Sequence, residues 1–431
     1  MKLCVFGLWH LGSVTAACLA SRGFSTVGLA ESIEAATALN AGTAPLFEPG
    51  LDGLIRHGLQ SGTLSFTQDV SQAVGAADLT WVTFDTPVDD DDVADVDFVL
   101  DRVRLIFPYL RNGSVVLISS QIPVGSTARL EQEFFAVADG RNVSFAYSPE
   151  NLRLGDAIRV FTEPERIVIG VRSHHAQEAI EPILKPFCQT LLWTRIESAE
   201  MVKHALNSYL ATCVTFTNEI ASICESVAAD MSEVEAALRL DPRVGRQAYV
   251  RAGSAFGGGT LARDVQFLKT ISKNKDIRVP LLTAVLESND LHKGWVVGHL
   301  RRQLGTLAGR KIGILGLAYK AGTDAIRRSV AIEVIRHLVA AGANISVFDP
   351  KVSVLPEPLN SAVNIVSSAD EVFVNAEAVV LATEWPEFRQ LNFAAIIPAM
   401  KQPFVIDQNS FASKQLLGLS DLRYIVAGRA Q

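Results

Sequence analysis

The 431 residues exceed what one hydrophobic core usually organises, so two α/β domains and a connecting element are expected. Apolar residues make up 48% of the chain and charged residues 20%, which excludes a largely disordered protein. The formal charge of -7 comes with no basic run, so the phosphate-neutralising surface that nucleic acid requires is missing and no nucleic-acid partner is expected.

Cys4, Cys18, Cys188, Cys213 and Cys224 are odd in number, scattered and free of CxxC pairs. They read as reduced core residues, which fits the cytoplasm better than an oxidising compartment. The chain enters a strand at once, without a positively charged region ahead of a long apolar stretch, so neither signal peptide nor membrane span is expected.

In chain order, KLCVFG (Lys2 to Gly7) reads as a strand, GLWHLG as a turn, SVTAACLASRG as a helix and STVGLA as a second strand. The first turn of such a βαβ unit is where a dinucleotide pyrophosphate docks. Apolar runs at Leu79 to Phe84, Ser114 to Ser120, Val143 to Ser148 and Arg166 to Val171 add strands, giving an N-terminal parallel sheet over 1–197. The acidic run Asp89 to Asp92 reads as a solvated loop; no spaced ligand set accompanies it, and no metal site is expected.

Over 198–303 the pattern turns long and helical, with a glycine-rich break at Gly257, Gly258 and Gly259. SAEMVKHALNSYL places Glu200, Lys203 and Asn207 at helical spacing, so one face carries a polar set. Over 304–431 the βαβ rhythm returns: KIGILG, a helix over Ser329 to Ala341, NISVFDP, then AVVLAT and PFVID. The expected fold is α/β, two Rossmann-like doubly wound domains joined by a long central helical segment.

Ordered motifs run along the whole chain: EPGL (Glu48 to Leu51), Thr86 and Pro87, PVG (Pro123 to Gly125), SPE (Ser148 to Glu150), PERIVIG (Pro164 to Gly170), GSAFGGGTLARD (Gly253 to Asp264), GLAYK (Gly316 to Lys320), Thr323-Asp324 with Arg327, and TEWPEF (Thr383 to Phe388). The set resembles the UDP-glucose/GDP-mannose dehydrogenase family, whose members oxidise the C6 alcohol of a nucleotide sugar to a carboxylate with two NAD molecules.

The resemblance implies roles. Lys203 stabilises negative charge on the oxygen at the reacting sugar carbon, Asn207 and Asp264 fix that oxygen or a water, and Glu150 lies near the carbon. Leu152, Tyr249, Phe256, Gly257 and Lys320 would hold the nucleotide sugar, and Arg243 would reach a sugar pocket across a dimer interface. Gly7, Trp9, Leu11, Gly12, Glu31, Thr86, Pro87, Arg263 and Arg327 would meet NAD. A homodimer or higher homo-oligomer is implied, with no membrane partner.

Departures from the family pattern are as informative. The nucleophilic cysteine falls at Thr260, the serine before it at Gly259, and the following FPK at Leu261, Ala262 and Arg263. A threonine hydroxyl is a far poorer nucleophile near neutrality unless a base is held against it. The threonine before PVG falls at Gln121, a glutamate after SPE at Leu154, and the arginine of a DGRN segment at Asn409. In GLWHLG the second glycine of GxGxxG is Trp9, where bulk would crowd a pyrophosphate, and the ribose-binding acid position is Ala30, with Glu31 one place later. No Arg or Lys stands nearby in sequence to favour a 2′-phosphate, so NAD is expected over NADP.

Three readings stay open. One is an NAD-linked oxidoreductase limited to a single hydride transfer. The second is a catalytically silent relative that binds a sugar nucleotide, and the third an epimerase- or lyase-type enzyme with tightly held NAD.

Overall fold

The computed structural model describes residues 1–89, 94–257 and 259–430; Asp90 to Asp92 of the acidic run and Gly258 of the glycine turn lie outside the described residues. The chain divides into two compact units, Met1–Leu206 and Asn207–Gln431.

The first unit is built on eight strands, β1 (Lys2–Phe6), β2 (Ser25–Leu29), β3 (Leu64–Thr67), β4 (Leu79–Val82), β5 (Val115–Ile118), β6 (Ser144–Tyr147), β7 (Ile167–Val171) and β8 (Leu191–Thr194). They lie in the order β3-β2-β1-β4-β5-β6-β7-β8. Both faces are covered, which is why the central strands β4 and β5 are buried at every position rather than at alternate ones. Leu3, Val5, Trp81 and Leu117 enter one core, while Cys4, Phe6, Val82, Val116 and Ile118 enter the other.

The expected all-parallel sheet needs one correction: β7 runs antiparallel to β6, with Ala146 opposite Val171 and Tyr147 opposite Gly170. The segment between them is tied down. The buried Glu48 carboxylate accepts hydrogen bonds from Gly155 N (2.8 Å) and Ala157 N (2.9 Å), at the start of the short helix Ala157–Thr162. This tether holds the segment at the carboxyl edge of the sheet, and β7 re-enters from that edge. β3 and β8 escape the sequence pattern because both are four-residue edge strands, LSFT alternating and LLWT only partly buried.

The second unit holds a six-stranded, all-parallel sheet, ordered β11-β10-β9-β12-β13-β14. Its strands are β9 (Lys311–Leu315), β10 (Asn344–Phe348), β11 (Asn364–Ile365), β12 (Ala378–Leu381), β13 (Phe404–Asp407) and β14 (Arg423–Ile425). Helices Met231–Leu240, Thr260–Asn274, Pro280–Lys293 and Trp295–Leu304 precede it. The boundary between the units falls inside the 32-residue helix Ile196–Val227.

Glu200 of that helix, grouped by spacing with Lys203, is instead a fully buried structural clasp. Its carboxylate accepts hydrogen bonds from Gly125 N (2.6 Å) and Thr127 N (3.0 Å). Those N–H groups open the helix Ser126–Val137, whose first turn has no intrahelical partners of its own. Burial raises the Glu200 pKa, and the two N–H bonds oppose that shift.

Among the described residues no helix is long and apolar enough to cross a membrane, and no group of three or more His, Cys, Asp or Glu could hold a metal ion.

Candidate functional site

In the first unit, the order of strands reverses direction from β1, with β2 on one side and β4 on the other, which makes a crevice at their carboxyl ends. Gly7 follows β1 with φ +104°, and a Cβ there would stand 2.7 Å from Phe84 N. Gly12 has equally little room, against the Gly7 carbonyl and the Thr83 hydroxyl. These two glycines let β1 turn directly into the helix His10–Ser21. Leu11 is buried beneath the turn, and Thr86, also buried, donates to the Gln121 carbonyl at 2.6 Å, fixing the loop that carries Pro87 after β4.

The helix begins at Trp9 with no side-chain cap, so its first N–H groups are the anion-binding donors a pyrophosphate uses. Trp9 itself is 53% exposed. The tight turn is formed by backbone and the two glycines, and the indole is outside its packed interior. The residues therefore fit a dinucleotide, with the indole as the one intrusive group.

Ala30, directly after β2, is buried, and Glu31 is exposed beside it. The sequence expectation that no cation stands near this corner is corrected by the fold. Arg102, from helix Val96–Ile106, donates through Nε to Glu31 Oε1 at 2.7 Å across 71 residues of sequence.

Farther along the same sheet edge, Lys203 and Glu150 meet. Lys203 Nζ donates to the Glu150 carbonyl at 2.6 Å and lies 3.4 Å from Glu150 Oε1. Lys203 is buried and the Glu150 side chain partly so. Leu152 N donates to Glu150 Oε2 at 2.8 Å, so the loop curls around its own carboxylate and orients it. An ammonium at this place, away from bulk water, would act strongly on a developing oxyanion.

The second unit repeats the strand–glycine–strand geometry with a different outcome. Gly316 follows β9 with φ +94°, and a Cβ would meet Thr383 N at 2.6 Å, as Gly7 does with Phe84. Asp349 takes the place after β10 that Ala30 takes after β2. Its Oδ2 accepts from Leu317 N (2.7 Å), Ala318 N (3.0 Å) and Trp385 Nε1 (2.9 Å), and its Oδ1 from Lys351 N and Val352 N. A carboxylate thus already occupies the N–H groups that a phosphate would need in this turn. A ligand must use a different part of the unit.

That part is a cavity of about 680 Å³ lined by Tyr249, Arg251, Phe256, Gly257, Lys320 and Glu384, among others. Four of these, Tyr249, Phe256, Gly257 and Lys320, were expected from sequence. Arg251 and Glu384 were not, although Arg251 stands two residues after Tyr249 and Glu384 lies within TEWPEF. Asn409 ties them together. Its Oδ1 accepts from Ser254 N at 2.7 Å, its carbonyl accepts from Arg251 Nη2, and its side chain bonds Glu384. Burial pushes the Glu384 carboxyl above its usual range, against the pull of the Arg251 charge.

Also in this unit, Asn207 Nδ2 donates to Asp264 Oδ2, and both side chains are buried. Thr260 is the first residue of helix Thr260–Asn274, with Gly259 at its N-cap, and is exposed. Arg263 is half-buried on the same helix. Arg243 stands out on a turn with its side chain 88% exposed, paired only locally with Asp241 Oδ2 at 2.7 Å, and it does not line the cavity. Arg327 is exposed and does not line it either.

Comparison with known proteins accounts for this division of labour. Models of the UDP-glucose/GDP-mannose dehydrogenase family match in three parts: the NAD binding domain over 1–188, the central domain over 197–291 and the UDP binding domain over 313–414. UDP-glucose 6-dehydrogenase TuaD of Bacillus subtilis (strain 168) is 33% identical over 433 residues, covering 99% of this chain and 93% of its own. UDP-glucose 6-dehydrogenase of Rhizobium meliloti (strain 1021) is 33% identical over 437 residues and is covered completely, as is this chain.

Among solved structures, a UDP-glucose dehydrogenase from Pyrobaculum islandicum superposes with a TM-score of 0.87 at 30% identity, over 100% of this chain and 98% of that one. A UDP-D-ManNAc dehydrogenase from Pyrococcus horikoshii, at 24% identity and a TM-score of 0.86, shares the fold. With one unit shaped for a dinucleotide, the other denied that use by Asp349, and relatives matching from end to end, this chain belongs to the UDP-glucose/GDP-mannose dehydrogenase family.

Proposed function

We propose that this protein is an NAD-dependent oxidoreductase of a UDP-sugar of the UDP-glucose type, and that it carries out a single hydride transfer. The observation that supports it most is the buried Lys203 ammonium, 2.6 Å from the Glu150 carbonyl and 3.4 Å from its carboxylate. NAD, when bound, supplies the hydride acceptor. Gly7, Gly12 and the first turn of His10–Ser21 would hold its pyrophosphate and Glu31 its adenosine ribose, with Thr86 and Pro87 on the loop after β4.

Lys203 stabilises the alkoxide that develops as hydride leaves the sugar carbon, and Asn207 and Asp264 orient that oxygen or a water. Glu150, oriented by Leu152 N, stands by the reacting carbon. Tyr249, Arg251, Phe256, Gly257 and Lys320 hold the nucleotide sugar. The five thiols, all free, fit a reducing compartment such as the cytoplasm.

Calorimetry with UDP-, GDP- and TDP-sugars tests the ligand class. Lys320→Ala is expected to weaken UDP-sugar binding about tenfold to a hundredfold, the value of one charge-assisted hydrogen bond to a phosphate. If no sugar nucleotide binds at millimolar concentration, the reading fails. Product masses from the same mixtures separate the rivals: a bound but unchanged sugar marks a silent relative, and a changed sugar without net NADH marks an epimerase or lyase.

The proposal includes a homodimer or higher homo-oligomer. Tyr209, Phe216 and Ile223 are exposed large apolar side chains at seven-residue spacing on the helix Ile196–Val227, a seam that water does not favour. Arg243, projecting away from the cavity of its own chain, suits a reach into a partner. Phe216→Glu is expected to give monomers in sedimentation at micromolar concentration; a monomeric unsubstituted protein would refute the seam.

A further inference from the structure

The corner beyond β2 decides which dinucleotide a Rossmann-type unit accepts, because NADP differs from NAD only by a phosphate on the adenosine ribose 2′-hydroxyl. A carboxylate there accepts the ribose hydroxyls and repels the phosphate, whereas an arginine attracts it. Here the two occur together. Arg102 Nε sits 2.7 Å from Glu31 Oε1, so the carboxylate that would exclude a 2′-phosphate is already matched by a positive charge.

The guanidinium is positioned by more than that pair. It lies over the Phe98 ring, 4.7 Å from its centroid. Phe98 in turn meets Phe84 edge-on at 6.0 Å, and Phe84 meets Phe6 at 4.6 Å. A line of aromatic contacts therefore fixes Arg102 relative to the end of β1 and its glycine turn. Stacking on a ring leaves the edge of the guanidinium plane free to present its donors.

Nearby acids do not claim Arg102. On the same helix Asp101 pairs with Arg104 at 2.5 Å, and Asp97 with Arg129 at 3.5 Å. Glu34, beyond Glu31, bonds Ser32 and its own backbone. The Arg102–Glu31 pair is solvent-facing, with side chains 35% and 47% exposed, and such pairs contribute little to stability. The fold does not depend on it, so the arginine is free to exchange partners.

Resting on the dinucleotide reading of the first unit, we infer that this corner accepts NADP as well as NAD, with Arg102 as the residue that binds the 2′-phosphate. With NAD, Glu31 accepts the ribose hydroxyls while Arg102 neutralises its outer oxygen. With NADP, the remaining donors of Arg102 turn to the phosphate in the bidentate manner that suits guanidinium and phosphate.

Calorimetric titration of the full-length protein with NAD and with NADP tests this without needing turnover. Both are expected to bind. Arg102→Ala should raise the ratio of Kd for NADP to Kd for NAD by about tenfold to a hundredfold, and Glu31→Gln should lower it. NAD binding in the same samples reports that each variant is folded. Should Arg102→Ala fail to fold, Arg102→Lys carries the test, with a rise of about threefold or more, because the charge remains but the fork is lost.

Binding of NAD with no NADP binding to the unsubstituted protein, or a ratio that rises by less than these amounts, overturns the inference and leaves the NAD assignment standing. Binding of neither dinucleotide overturns the NAD assignment itself, and the inference with it.

Discussion

Incubated with UDP-glucose and NAD, the protein is expected to form about one NADH per sugar consumed, in place of the two that a four-electron oxidation yields. The reason lies at Thr260. In the resemblance this position is the cysteine that captures the aldehyde from the first oxidation, carries it through a thioester and releases the acid. A thiolate is a good nucleophile and a good leaving group, while a threonine alkoxide is hard to form and leaves a less labile ester. The exposed first-turn position of Thr260 on the helix Thr260–Asn274 is one where a thiol would be pushed toward thiolate. No comparable help makes a threonine alkoxide accessible near neutrality.

The product should therefore be an aldehyde or ketone, or the enzyme should run the reverse reduction, and Thr260→Cys should move the ratio from about one toward two. Counting NADH by absorbance and identifying the product by mass decides it. A ratio near two with uronate as main product, at about 1 per second or faster in the unsubstituted protein, would show that the missing thiol does not limit the chemistry.

Replacing Lys203 by Ala is expected to lower kcat by about 100- to 10,000-fold, the range seen when a charge aimed at a developing oxyanion is removed. Lys203 is buried, with its ammonium held on Glu150. Sugar and NAD binding should change much less, because the ammonium acts mainly on charge that develops in the transition state. Lys203→Arg should recover only part of the rate, since a planar fork cannot reproduce a compact ammonium in that space. The measurement is single-turnover kinetics beside calorimetric binding. A loss below about tenfold in kcat with binding intact would remove Lys203 from the reacting centre.

Much of this protein was legible in its sequence because the information is local. The runs at β1, β2, β5, β9, β10 and β12 are short, contain clustered apolar residues and are bounded by turns, and each forms where the pattern places it. Gly7 and Gly316 follow their strands because only glycine fits a backbone of φ near +100° packed against the neighbouring loop. Lys203 and Asn207 fall on a helix, and Tyr249, Phe256, Gly257 and Lys320 line one cavity.

What the tertiary structure decided are pairings between distant residues, for which periodicity holds no signal. Glu48 anchors the segment between β6 and the antiparallel β7 from more than a hundred residues away. Glu200 shares its helix with Lys203 but points its carboxylate at the start of another helix, because buried N–H groups there need an acceptor. Asp349 and Ala30 occupy equivalent places after their second strands, yet one fills its turn with a carboxylate and the other leaves it open, which separates the unit that can take a dinucleotide from the one that cannot. Arg102 meets Glu31 across 71 residues of sequence, a pairing that no local pattern announces. The sequence carries the elements and most of the chemical groups; side-chain direction and the need to satisfy buried polar atoms determine which of those groups face one another.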